Sequence, residues 1–182
     1  MTKFSKKTIC SLAVCVLLLL SIVLALRACT KDDGFPKPPL SFPLSLEKAG
    51  NKIETNLRVV DCDAYYFRLE FSFDENDKGD RARVRKLTGD DVQDKSRKDF
   101  QPGVPNPVLL RVSSLEAGEE HEIYVKEIDP MLSSWGADSF AKIICFVRLE
   151  PGLYKVELKN LRSSPEFNGT PVTFTITDSG LH

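Results

Sequence analysis

Four cations fall within six residues, Arg81, Arg83, Arg85 and Lys86. Guanidinium groups grip carboxylates and phosphates through paired hydrogen bonds, so such a cluster can hold a carboxylate, a lipid phosphate or an acidic protein surface. The surrounding residues 74–100 carry eight acids and eight bases. More often a mixture so balanced is a solvated surface laced with weak ion pairs. Further along, Ser133–Phe140 holds the only tryptophan, Trp135, with Asp138 and Phe140 close behind it. An aromatic on a loop is a common binding anchor, whereas a tryptophan in a small domain is usually part of the core. Trp135, Asp138 and Phe140, with Arg81, Arg83 and Arg85, are the candidate partner-binding residues.

Other chemistry finds little footing. Asp74-Glu75-Asn76-Asp77-Lys78-Gly79-Asp80 opens like a calcium-binding loop, with oxygen ligands at alternate positions and glycine at the sixth. Lys78 then occupies the fifth position and Arg85 the twelfth, where oxygens are required, and a turn whose Asp and Asn side chains bond their own backbone explains the same residues. The sequence has no Gly-x-Ser-x-Gly, no His-Glu-x-x-His, no Cys-x-x-Cys and no phosphate-binding glycine loop, and it contains two histidines. The expectation is a protein that is not an enzyme, with no catalytic residues, no metal and no cofactor.

These candidates must be placed by elements, and the first element is a leader. Lys3, Lys6 and Lys7 precede an uncharged run from Ile9 to Leu26, closed by Arg27-Ala28-Cys29. A basic start and an apolar run of this length describe a secretory signal or a signal anchor. Leu26-Arg27-Ala28-Cys29 resembles a bacterial lipobox, with Cys29 as the lipid attachment site and Arg27 atypical within it. The alternative is an uncleaved helix oriented by the leading lysines. Either way the rest of the chain is expected outside the cytoplasm, held at a membrane. Residues 1–29 are read as this leader, 30–40 as a Pro-rich tether and 41–182 as one domain. Beyond residue 29 the chain has 21 basic and 26 acidic residues, net −5, which argues against nucleic acid. Cys62 and Cys145 are then the exported cysteine pair. They are a possible disulfide, and the long loop would contribute about 4 kcal/mol were the Cα atoms within ~7 Å; two free thiols are the alternative.

The domain reads as mainly β. From Tyr65 to Phe73 apolar residues alternate, with Tyr65, Phe67, Leu69, Phe71 and Phe73 on one face, the pattern of a half-buried strand. Shorter runs at 56–60, 108–112, 122–128, 142–149, 153–158 and 172–176 bring the number to seven, which suits an antiparallel β-sandwich. Pro151-Gly152 predicts a hairpin with Tyr154, Val156 and Leu158 facing inward. Asp80–Gly89, with an acidic start, a basic end and a terminal glycine, predicts one short helix.

Residues 73–90 (FDENDKGDRARVRKLTGD), 134–140 (SWGADSF) and 149–161 (LEPGLYKVELKNL) resemble a family of small exported bacterial proteins known only as a domain of unknown function. The resemblance spans residues 42–178 and implies a Gram-negative origin and a periplasmic location. The functional expectation is a membrane-tethered binding protein that engages another protein, in the manner of envelope immunity or inhibitor proteins. Alternatives are a periplasmic carrier of a small ligand or lipid, with a pocket near Phe67 and Phe71, or a structural envelope lipoprotein.

Overall fold

The computed structural model describes residues 34–179. The leader, Cys29 and the first residues of the tether lie outside that range, and residues from Pro36 onward belong to one compact unit. Among the described residues no helix is long and apolar enough to cross a membrane.

Nine strands form two antiparallel sheets. In chain order they are β1 (Leu40–Pro43), β2 (Lys52–Val59), β3 (Asp63–Ser72), β4 (Val108–Glu116), β5 (Glu119–Ile128), β6 (Leu132–Trp135), β7 (Ser139–Leu149), β8 (Gly152–Asn160) and β9 (Val172–Asp178), with one helix, α1 (Lys78–Thr88), between β3 and β4. The five-stranded sheet runs β1-β9-β3-β7-β6 and the four-stranded sheet β2-β8-β4-β5. Period-two alternation gives the central strands one inward face. Phe67, Leu69, Phe71, Phe174 and Ile176 from the first sheet are buried with Leu57, Leu110, Val112, Val156 and Leu158 from the second. All seven expected strands are present. The two unforeseen ones, β1 and β6, are four-residue edge strands, too short to show an alternation. Leu40, read as the end of the tether, pairs with Ile176, and the Pro36 carbonyl accepts from the Arg58 N–H.

The Pro-Gly segment is not a hairpin. β7 and β8 lie in different sheets, so Glu150-Pro151 turns the chain from one layer to the other. Tyr154 pins the corner by donating its hydroxyl to the Glu150 carbonyl at 2.8 Å, which also satisfies the phenol beside the core. Tyr154, Val156 and Leu158 do face inward.

The cysteines are separate free thiols, Cys62 exposed and Cys145 half-buried. The β3–β7 register explains why. Asp63 is opposite Leu149, whereas Cys145 is opposite Phe67, so five strand positions of ~3.3 Å, about 16 Å, separate the two along the ladder. That exceeds the Cα separation a disulfide tolerates, ~7 Å. Cys62 instead meets Glu150 Oε1 at 3.2 Å and Arg148 Nη2 at 3.4 Å.

Helix α1 starts two residues before its expected position. Asp77 caps it by accepting from the Gly79 N–H at 2.8 Å. Gly89, at φ +87°, ends it and donates to the Arg85 carbonyl. Val84 and Thr88 are its buried residues, and the helix packs on β3 and β7. Its narrow apolar stripe leaves most of the surface to charge.

Candidate functional site

Helix geometry sorts the cations of α1. Residues 81 and 85 are four apart and share a face, whereas residue 83 projects on the opposite flank. Lys78, Arg81, Ala82 and Arg85, at spacings of three, four and seven, line one wall of a surface groove of about 420 Å³; Trp135 and Phe140 line the other. Arg83 turns away, its Nε and Nη2 donating to Asp80 Oδ1 at 3.0 and 2.7 Å and its Nη1 to Thr170 Oγ1 at 2.8 Å.

The opposite wall is built by β6 and β7. Trp135 is the last residue of β6, paired with Phe140 across a tight connection in which the Gly136 N–H donates to the Ser139 carbonyl at 2.7 Å. β6 is an edge strand, and Trp135 at its end is 54% exposed. This overturns the core reading of the tryptophan. Phe140 is buried and packs with its ring tilted, centre to centre at 4.8 Å, against Phe73, the residue that follows β3. Asp138 serves the turn: its carbonyl accepts from the Phe73 N–H at 2.9 Å and its carboxylate from the Ser139 hydroxyl at 3.3 Å.

Cations sit on these rings. The Arg85 guanidinium lies 5.5 Å from the Trp135 ring centre and 5.7 Å from that of Phe140, and Arg81 lies 5.5 Å from that of Phe73. Contacts of this kind are worth about 0.5–1 kcal/mol where exposed and hold a guanidinium in place. Arg85 also meets Asp90 at 3.4 Å. Among the described residues neither Lys78 nor Arg81 has a carboxylate partner. The outer face of the four-stranded sheet is the opposite case: Lys155 meets Glu54, Glu120 and Glu157, Lys52 meets Glu54 and Glu157, and Arg111 meets Glu122 and Glu157. The structure therefore brings together four of the six candidate residues, Arg81, Arg85, Trp135 and Phe140, and sets Arg83 and Asp138 to structural tasks. Lys78 and Phe73 complete the site without having been singled out. Lys78 is three residues before Arg81, a spacing that would have included it had the helix been started at its true N-terminus.

The resemblance to a calcium loop dissolves into backbone bonding. Asp80 Oδ2 accepts from the Asp74 N–H at 2.9 Å and Asp74 Oδ1 from the Asn76 N–H at 2.9 Å. The Asp74 amide and the Arg83 guanidinium hold the Asp80 carboxyl below its usual range. No cluster of three metal-ligating side chains occurs among the described residues.

Next to the groove is a buried amine. Lys142, two residues beyond Phe140, is almost wholly enclosed, with Nζ over the Phe71 ring at 5.6 Å, donating to Asn106 Oδ1 at 2.6 Å and to the Val104 carbonyl at 3.3 Å. Burial lowers its pKa to about 8, against a weaker opposing pull from Asp129. It ties the 89–107 segment to the sheet. That segment lies against the end of α1, where the Val104 N–H donates to the Leu87 carbonyl.

Among solved structures, a crystal structure of a protein from Sulfurospirillum deleyianum shares this fold, with a TM-score of 0.66 and 20% identity over 78% of this chain and 98% of the other. No curated protein matches the chain. The sequence profile of DUF5625, described as a domain of unknown function, matches residues 41–178. A nine-stranded sandwich with one helix laid beside its β6–β7 edge is thus the form taken here by a member of the DUF5625 family.

Proposed function

We propose that this protein is a non-enzymatic binding module of the Gram-negative cell envelope, exported and held at a membrane by its leader, which captures another protein in the groove between α1 and the β6–β7 turn. One observation carries the reading: the sole tryptophan stands exposed on an edge strand, with an arginine against its face and, among the described residues, two cations without a carboxylate partner beside it. Trp and Arg are the residues that most often dominate protein interfaces, and their desolvation supplies most of the affinity. The carrier alternative asked for space around Phe67 and Phe71. Both are fully buried and packed against Phe174 and Phe167 at 6.3 and 5.0 Å, so support goes to the surface groove. Export and membrane attachment rest on the basic, apolar and cysteine-terminated leader.

The test is site-specific photocrosslinking in cells of origin, with benzoylphenylalanine placed at position 135 and, as a control, at position 146. Phe146 is 70% exposed on the outer face of the five-stranded sheet, remote from α1. A protein adduct of discrete mass at 135 and absent at 146 supports the proposal. Adducts at neither position, or equal adducts at both, would count against it.

A further inference from the structure

The groove's charge and shape specify its occupant, and we infer that it takes an acidic, extended segment of a partner protein, carrying an aromatic or branched aliphatic side chain that seats between Trp135 and the α1 wall. The inference rests on the binding function proposed above and names the chemistry of the partner.

Three surface depressions meet at this site. The central one shares Ala82 and Arg85 with a second of about 540 Å³, which continues past Lys86 and Gly89 to Gln101 and Gly103. It shares Trp135 with a third of about 270 Å³, lined by Asp91, Gln93, Ser133 and Ser134. The combined track is longer than a single side chain. It suits a run of peptide whose alternate residues fall on the same side every ~7 Å.

Charge is uneven along it. In the central depression Lys78 and Arg81 have no carboxylate partner among the described residues; Arg85, shared with the second depression, meets Asp90; in the third Asp91 accepts from the Gln93 N–H at 2.7 Å. Among the described residues, the cations of the track without a carboxylate partner are therefore Lys78 and Arg81 in the central depression and Lys86 in the second. Arg81 is held by the Phe73 ring, so a carboxylate that binds it loses little side-chain entropy in doing so. Beside the cations the groove walls carry the apolar surface of Ala82, Phe140 and Trp135, where an apolar anchor gains most from leaving water.

An anionic lipid surface offers the same negative charge, but the geometry favours a protein segment. The exported chain is net acidic, at 21 bases to 26 acids, so an anionic bilayer would repel it as a whole. The basic residues are set beside a walled groove, and Asp90 and Asp91 border the same track. A flat lipid surface could not use the walls and would meet those carboxylates.

The experiment uses the full chain in neutral detergent, displayed against a library of random nonapeptides, followed by titration of the enriched peptide while the fluorescence of Trp135, the only tryptophan, is recorded. The expected result is enrichment of peptides with two or more acids within two residues of an aromatic or aliphatic side chain. The chosen peptide should give a saturable spectral shift, weakened about tenfold by Arg81→Gln and again by Lys78→Gln, with the melting temperature unchanged. The shift should also weaken as salt is raised. Enrichment without an acidic bias, no enrichment, or binding indifferent to both substitutions would overturn the inference. A Trp135 shift produced by phosphatidylglycerol vesicles and by no peptide would replace the protein segment with lipid. If crosslinking at position 135 captures a protein while these outcomes fail, the binding function stands and its acidic specificity falls; if both fail, the function falls with it.

Discussion

Lys142 places an ammonium group inside the sandwich, where a carbonyl, an amide oxygen and the face of Phe71 receive it. The charged form is disfavoured there, and its pKa of about 8 lies below the ordinary 10.5. Between those two values the unfolded chain binds more protons than the folded one, so stability rises with pH across that window, and the cost of burying the charge is fully present below about pH 8. Other groups titrate in the same range, which makes the comparison with Lys142→Met decisive. The wild type should gain stability on the variant as pH rises from about 8 to 10.5 in chemical denaturation; parallel pH profiles would show that the amine does not sense its burial. The thiols give a second check at this scale. Cys62 should react with an alkylating reagent in the native protein far faster than half-buried Cys145, and no mass difference should be found between reduced and unreduced protein at this pair. A persistent loss of two hydrogens assigned to it would contradict the β3–β7 register. Individual residue roles were only partly legible in the sequence. Clustered arginines and a tryptophan flagged the site, but the exposure of Trp135 depends on β6 lying at a sheet edge, and edge position is a property of strand order that no local pattern encodes.

Among the elements, α1 and the segment after it hold the groove wall in place, and two glycines let them approach. Gly89 and Gly103 both have positive φ, +87° and +77°, and a Cβ on either would collide with the backbone of the other segment. Gly103→Ala should therefore destabilise the domain by about 2 kcal/mol or more, combining backbone strain with the clash. Gly118→Ala, at a positive φ but with open space around it, should cost less. Equal melting temperatures for the two variants would deny the close approach. Asp77→Ala, removing the helix cap, should cost about 1 kcal/mol. The helix was legible because acidic start, basic end and glycine coincide; its true start at Lys78 was obscured by the acidic turn that also supplies Asp77. The alternation of β3 was plain because it is a central strand with one filled face. β5 is the contrast: it is exposed along most of its length on both faces, and the short alternating run at 122–128 gives no warning of that.

For the whole molecule, two layers of sheet bury a continuous core and the four-stranded sheet turns an ion-paired outer face to solvent, while Lys78, Arg81 and the exposed Trp135 come together at the α1–β6 edge. The division of strands between the sheets was the part that sequence could not supply. Pro151-Gly152 signals a turn equally for a hairpin and for a crossing between layers, and the Tyr154 bond to the Glu150 carbonyl belongs to the latter. If the leader ends in lipidation, the mature protein should begin at Cys29 and carry the added mass of its acyl chains; an intact N-terminus at Met1 would instead indicate an anchoring helix. The central claim, that the groove captures a protein, is tested most directly by quantitative affinity capture from detergent-solubilised membranes with three proteins of matched melting temperature: wild type, Trp135→Ala and Phe146→Ala. The account predicts a stoichiometric partner recovered by wild type and by Phe146→Ala and reduced about tenfold or more with Trp135→Ala. Equal recovery by all three, or a partner lost only with Phe146→Ala, would contradict it.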